Sequence, residues 1–185
     1  MTAPLLVAAG LSVRFGGVRA LDGFDVEIRT GELLGLIGPN GSGKTTFFNT
    51  VTGFVTPAGG KVMFAGEDIT ALAARHVARR GVARTFQRLR LLTELSVFDN
   101  LMLGQHLVLD HGVWTNLFAR WRLRNQLRAQ IEAARGVLSH FSATLPDRLF
   151  EPVAALTMID RRRVEVCRAL MRAPRLLDRK STRLN

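Results

Sequence analysis

The sequence predicts an α/β fold assembled around a phosphate-binding loop, and three observations carry that prediction. Residues 33–54, LLGLIGPNGSGKTTFFNTVTGF, pass from a short apolar run through a glycine-rich loop into a helical pattern. Gly38 to Thr45 match G-x-x-x-x-G-K-[ST] at every fixed position. Upstream, LLVAAGLSVRFGGVRALDGFDVEIRTGE reads as two strands joined by a Gly16-Gly17 turn, with a Thr30-Gly31 turn leading onward.

Each element has its own reason. Leu33, Leu34, Leu36 and Ile37 form the continuous apolar run expected of a parallel strand buried on both faces. The glycines of the loop let successive backbone N–H groups turn inward around phosphate oxygens, where side chains would obstruct them. Lys44 supplies a point charge for the terminal phosphates, and the Thr45 hydroxyl is placed to ligate Mg²⁺. Thr46 to Val51 reads as a helix whose N-terminal dipole favours an anion, with Gly53 ending it. GGKVMFAGEDIT (59–70) predicts a short strand and a turn. ARHVARRGVARTFQ (74–87) predicts a short helix, then a strand at Val82 to Thr85, then the polar Gln87.

Composition narrows the partners. The chain has 185 residues, 47% hydrophobic and 22% charged, enough for one domain with a sizeable core or one domain and a small lobe. No run approaches the roughly 18 apolar residues of a membrane span. Cys167 stands alone, which excludes an internal disulfide. The net charge of +11 is almost all arginine, spread from Arg14 to Arg183. That spread fits solvated helix faces, so no nucleic-acid partner is expected. His76, His106, His111 and His140 lack metal-ligand spacing. Trp114, Leu117, Phe118 and Trp121 recur at helical spacing with Arg120, Arg122, Arg124 and Arg128 nearby. Either a stripe packed inside a helical lobe or a contact with membrane subunits or lipid headgroups would produce that pattern.

With SVRFGGVRALDG, GPNGSGKTTFFNTVTGF, GVARTFQRLRLLTELSVFDNLMLGQH and RRRVEVCRALMRAP in this order, the chain resembles the ATP-binding subunit of an ABC transporter, of the branched-chain amino acid importer type. The resemblance covers residues 5–177. It implies a P-loop NTPase (RecA-like) ABC ATPase core with an antiparallel β subdomain and an inserted helical subdomain, incomplete at the C-terminus. Residues 1–92 would form the ATP-binding core with its β subdomain, and 93–154 the helical subdomain. Residues 155–177 would hold the signature helix and the start of the Walker B strand, and 178–185 a non-native tail.

The cofactors implied are ATP and Mg²⁺. Phe15 matches the aromatic residue that stacks on adenine. Gly38, Pro39, Asn40, Gly41, Ser42, Gly43, Lys44, Thr45 and Thr46 match the phosphate loop, and Gln87 the glutamine that serves the Mg²⁺ and the attacking water. The implied partners are a second ATPase subunit (the same or different), membrane permease subunits and, through the complex, an extracytoplasmic solute-binding protein. The implied location is the cytoplasmic face of the bacterial inner membrane.

Two stretches depart from the family. Where it carries L-S-G-G-Q, or L-x-Y-G-Q/D, this chain has Leu156, Thr157, Met158, Ile159 and Asp160. Ile159 stands at a glycine whose bare backbone meets the γ-phosphate held by the opposite subunit, and a β-branched side chain obstructs that approach. Where the family continues R-L-L-L-L-D-E-P, this chain has R-L-L-D-R-K. Asp178 follows two apolar residues instead of four, and Arg179 stands where the catalytic glutamate belongs, so Asp178 is not assigned as the Mg²⁺ aspartate. DRKSTRLN (178–185) can be encoded by DNA that resembles a common sequencing-library adaptor, hence the expectation of a non-native tail, with a short natural basic tail as the alternative. The expectation is an importer ATPase by family whose present chain binds ATP without turnover. A non-transport ABC-type ATPase or an inactive nucleotide-binding fragment is the alternative.

Overall fold

A computed structural model describes residues 3–85, 91–105 and 120–179, apart from the side chains of 120–124. The chain divides into two compact units, Met1–Val82 and Ala83–Asn185.

The first unit is a four-stranded antiparallel sheet with two helices. The sheet comprises β1 (Leu6–Phe15), β2 (Val18–Ile28), β3 (Gly59–Phe64) and β4 (Glu67–Asp68), in the order β2-β1-β3-β4. Along β1 the buried residues alternate at Leu6 and Ala8, skip a place, and resume at Leu11 and Val13. The skip is a register shift against β2 between Ala8 and Leu11, one extra residue that restores the apolar phase. Gly10, at φ 60°, occupies the irregularity, and its N–H donates to the Asp25 carboxylate at 2.6 Å. Opposite, a Cβ on Gly60 would lie 2.4 Å from the Gly10 carbonyl oxygen, so the two strands meet there backbone to backbone. Helix α1 (Lys44–Val51) packs Phe47 against Phe24 of β2, ring centroids 5.2 Å apart. Helix α2 (Ala74–Arg79) buries Val77, and Arg80 just beyond it pairs with Glu67 at 2.7 Å.

One predicted strand does not form. Residues 33–38 lie outside any strand, with Leu33 98% and Ile37 94% exposed. A strand buried on both faces needs ladder partners along both edges and cover above and below. The sheet of this unit ends at β2, and residues 33–38 pair with none of its members.

The second unit is mostly helical: α3 (Val97–Gln105), α4 (Arg120–Ser139), a 3₁₀ turn (Val153–Ala155) and α5 (Met158–Leu170). Val97, Leu101, Ala134, Leu138, Leu145, Leu149, Val153, Val164 and Cys167 build its core, so packing runs from the 93–154 region into α5 without a break. The helices approach closely because α3 offers Gly104 to α5, where an added Cβ would lie 2.3 Å from the Arg168 carbonyl oxygen. Fully buried Asn100 accepts from the Leu92 N–H at 2.8 Å and donates to the Leu92 and Ser96 carbonyls at 2.9 Å. It thereby pins the loop before α3. Strand β5 (Val82–Thr85) opens at the unit boundary and neighbours β6 (Leu176–Arg179). Strand β6 runs past Leu177, and Asp178 is buried within it against Arg84 at 3.1 Å.

Candidate nucleotide-binding site

The loop from Gly38 to Gly43 sits at the N-terminus of α1, and its backbone is bent by glycine. Gly43 precedes the helix in the left-handed region (φ 83°, ψ −1°), and Gly41 has φ 84°. A side chain at Gly43 is excluded twice, by the torsion and by a Cβ position 2.4 Å from the Ala20 carbonyl oxygen. A Cβ on Gly38 would meet the Ser42 hydroxyl at 2.7 Å. The loop is therefore a narrow backbone cradle, with Gly43 butted onto β2.

Lys44 folds over this cradle. Its ammonium donates to the carbonyls of Gly38 at 2.6 Å and Pro39 at 2.5 Å, and to the Ser42 hydroxyl at 3.2 Å. Helix α1 has no side-chain cap and no acidic residue in its first turn. Its N–H groups, the helix dipole and the Lys44 charge thus converge on one small concavity with no carboxylate of the helix's own. This donor set fits a polyphosphate. Thr45 and Thr46 fall in the first turn of α1, beside it.

Among the described residues no cluster of three or more His, Cys, Asp or Glu exists. A divalent ion here would rest on Thr45 and on phosphate oxygens.

Of the other predicted site residues, Phe15 ends β1 at the tip of the β1–β2 hairpin, half exposed and paired in register with Val18. The same hairpin supplies Ala20 and Leu21, the two residues against Gly43. Nothing in their sequence marks that role; only the strand pairing reveals it. Gln87 lies outside the described residues.

Thr157, Ile159 and Asp160 belong to the second unit, at the N-terminus of α5, and this helix end is closed. The Thr157 hydroxyl accepts from the Asp160 N–H at 3.1 Å and donates to the Asp160 carboxylate at 2.8 Å. Asp160 also pairs with Arg163 at 2.9 Å. The positive end of α5 is thus satisfied by a carboxylate of the same helix, while Met158 and Ile159 project into solvent, Ile159 66% exposed. The N-terminus of α1 is thus open to an anion, whereas that of α5 already holds one.

Comparison with known proteins agrees with this arrangement. The family model described as ABC transporter matches residues 21–178. The high-affinity branched-chain amino acid transport ATP-binding protein BraF of Pseudomonas aeruginosa is 37% identical over 177 residues, 96% of this chain and 69% of BraF. LivG of Escherichia coli K12, a protein of the same description, is 36% identical over the same shares. Among solved structures, an ATP-binding cassette of an ABC transporter in its ADP conformation superposes with a TM-score of 0.76. It is 30% identical, over 95% of this chain and 68% of that one. A nucleotide-free cassette gives 0.75 at 29% identity. The antiparallel sheet, the loop-and-helix cradle and the helical unit are therefore those of a known architecture, and the chain belongs to the ABC transporter family, among its ATP-binding domains.

Proposed function

We propose that this chain is the ATP-binding subunit of an importer for branched-chain or related amino acids, and that it binds ATP with Mg²⁺ but does not sustain hydrolysis. The observation that supports binding is the open N-terminus of α1, with left-handed Gly43 and with Lys44 gathered over the loop carbonyls. On nucleotide entry the Lys44 ammonium turns from those carbonyls to the β- and γ-phosphates, and the N–H groups of the loop and first turn take phosphate oxygens. Phe15 stacks on the adenine from the hairpin tip. Thr45 and Gln87 would hold Mg²⁺, which would neutralise phosphate charge there.

The substrate class follows the relatives' description as branched-chain amino acid transport proteins. The partners are a second ATPase subunit, permease subunits and, through them, an external solute-binding protein, with the chain at the cytoplasmic face of the inner membrane. Failure to turn over rests on two features. Ile159 and the self-capped α5 leave no receptor for a partner's γ-phosphate, and Arg179 stands where a glutamate would polarise water.

A fluorescent ATP analogue titrated into the chain, with phosphate release measured in parallel, tests both halves. Binding should weaken at least about tenfold in Lys44→Ala, as expected for a lost charge-assisted contact. Phosphate release should be no faster than in that variant. Binding indifferent to Lys44→Ala overturns the site. Steady release that Lys44→Ala abolishes overturns the inactivity.

A further inference from the structure

Helix α4 is longer than the core it serves. Its C-terminal half is seated: Ala134 and Leu138 are fully buried, with Ile131 and Val137 packed beside them. Residues 125–129 are all exposed, including Leu127 at 46%. A turn and a half at least, about 7 Å of helix over residues 125–129, thus extends beyond the packed core.

The pattern on this overhang is not that of an ordinary solvated helix. On a 3.6-residue period Leu123, Leu127, Ile131, Ala134 and Leu138 fall on one stripe, so the apolar stripe of the seated half continues onto the unseated half. Arg124, Arg128 and Arg135 line one flank of that stripe, and Arg120 stands at its N-terminal end. The helix carries Arg120, Arg122, Arg124, Arg128 and Arg135 against the single acid Glu132. A helix stabilised in water by its own charges alternates acids with bases, and this one does not. An apolar stripe flanked by arginines is the composition of a helix lying at an anionic interface. Among the described residues no helix is long and apolar enough to cross a membrane, so the contact would lie along the surface.

We infer that the N-terminal half of α4 docks on an anionic phospholipid surface, with Leu127 at the headgroup boundary and the arginines on lipid phosphates. The inference is independent of nucleotide chemistry. Each arginine near such a surface contributes a factor of about five in affinity, and the attraction fades within a Debye length.

The test is flotation of the full chain with protein-free vesicles, either pure phosphatidylcholine or a mixture with phosphatidylglycerol, without nucleotide. Flotation separates bound chain from aggregate. The chain should float with the phosphatidylglycerol mixture at least about tenfold better than with phosphatidylcholine, and should be released as NaCl rises to about 0.5 M. A variant combining Arg120→Glu, Arg124→Glu and Arg128→Glu should lose this flotation while keeping its helical circular dichroism. Equal flotation with both vesicles, no flotation with either, or salt-insensitive binding overturns the inference. The salt series on the unaltered chain decides the matter even if the variant does not fold.

Discussion

Alanine at Gly104 and alanine at Gly136 are the same chemical change with opposite expected signs. In a helix interior, glycine to alanine gains about 1 kcal/mol from backbone entropy and propensity. Gly136, on the exposed face of α4, has nothing within 4 Å of an added Cβ, so that gain should appear undiminished. At Gly104 the added Cβ lies 2.3 Å from the Arg168 carbonyl oxygen and 2.8 Å from its Cγ, where ordinary contact begins at 3.4 Å. The oxygen belongs to the backbone of α5 and cannot rotate away, so α3 and α5 must separate by about 1 Å. A gap of that size forfeits a quarter to a half of each dispersion contact across the interface. Overpacking of this kind costs about 3 kcal/mol, which outweighs the propensity gain and leaves a net loss of about 2 kcal/mol. The second unit is mostly helical, so its far-ultraviolet circular dichroism reports its unfolding in urea. With a slope of about 2 kcal/mol per molar, Gly104→Ala should lower the midpoint by about 1 M and Gly136→Ala raise it by about 0.5 M. A Gly104→Ala midpoint at or above the parent's refutes the packing argument.

Three further outcomes follow from the second unit. Asn100→Ala strands the Leu92 N–H and two carbonyls and should cost about 2–3 kcal/mol in the same urea assay, whereas Asp99→Ala at the exposed cap should cost less. Arg84→Met removes the cation 3.1 Å from the buried Asp178 carboxylate, an expected loss of about 3 kcal/mol read from the melting temperature. Burial pushes the Cys167 thiol up to about 12, so folding favours its protonated form. That contribution is complete below the unfolded thiol's value of about 8.5 and is lost as pH climbs from there toward 12. At pH 8 a chromogenic disulfide should leave Cys167 unmodified in the native chain and label it once urea unfolds the unit.

The local signals in the sequence were strong where a few neighbouring residues decide the structure. Gly16-Gly17 between alternating runs gave the β1–β2 hairpin, and the helix read over Thr46 to Val51 forms two residues earlier, from Lys44. Val82 to Thr85 emerged as the strand its apolar content suggested. What stayed illegible depends on distant partners. The apolar run at residues 33–37 has strand composition, but a parallel strand exists only when others flank it, and composition cannot supply them. Gly104 looks like a weak point in a helix until Arg168 is seen against it, and Asn100 looks like a surface residue until the loop it pins is closed around it. At the site itself spacing marked Gly38 to Thr45 as the candidate phosphate loop. The backing of Gly43 by Ala20 and the closure of α5 by Asp160 were not marked, because each is a contact rather than a motif.

The side chains at the start of α5 have a consequence for how variation in this chain should be weighed. Met158 and Ile159 face solvent, and Thr157 with Asp160 would cap the helix whatever stood between them. Core packing therefore places little demand on these two side chains, and what stability they add comes from helix propensity alone. Only the need to receive another molecule at that helix end could hold a glycine in place. On the proposed reading, an isoleucine at 159 bears on reception of a partner's phosphate more than on the packed core, since its side chain is 66% exposed.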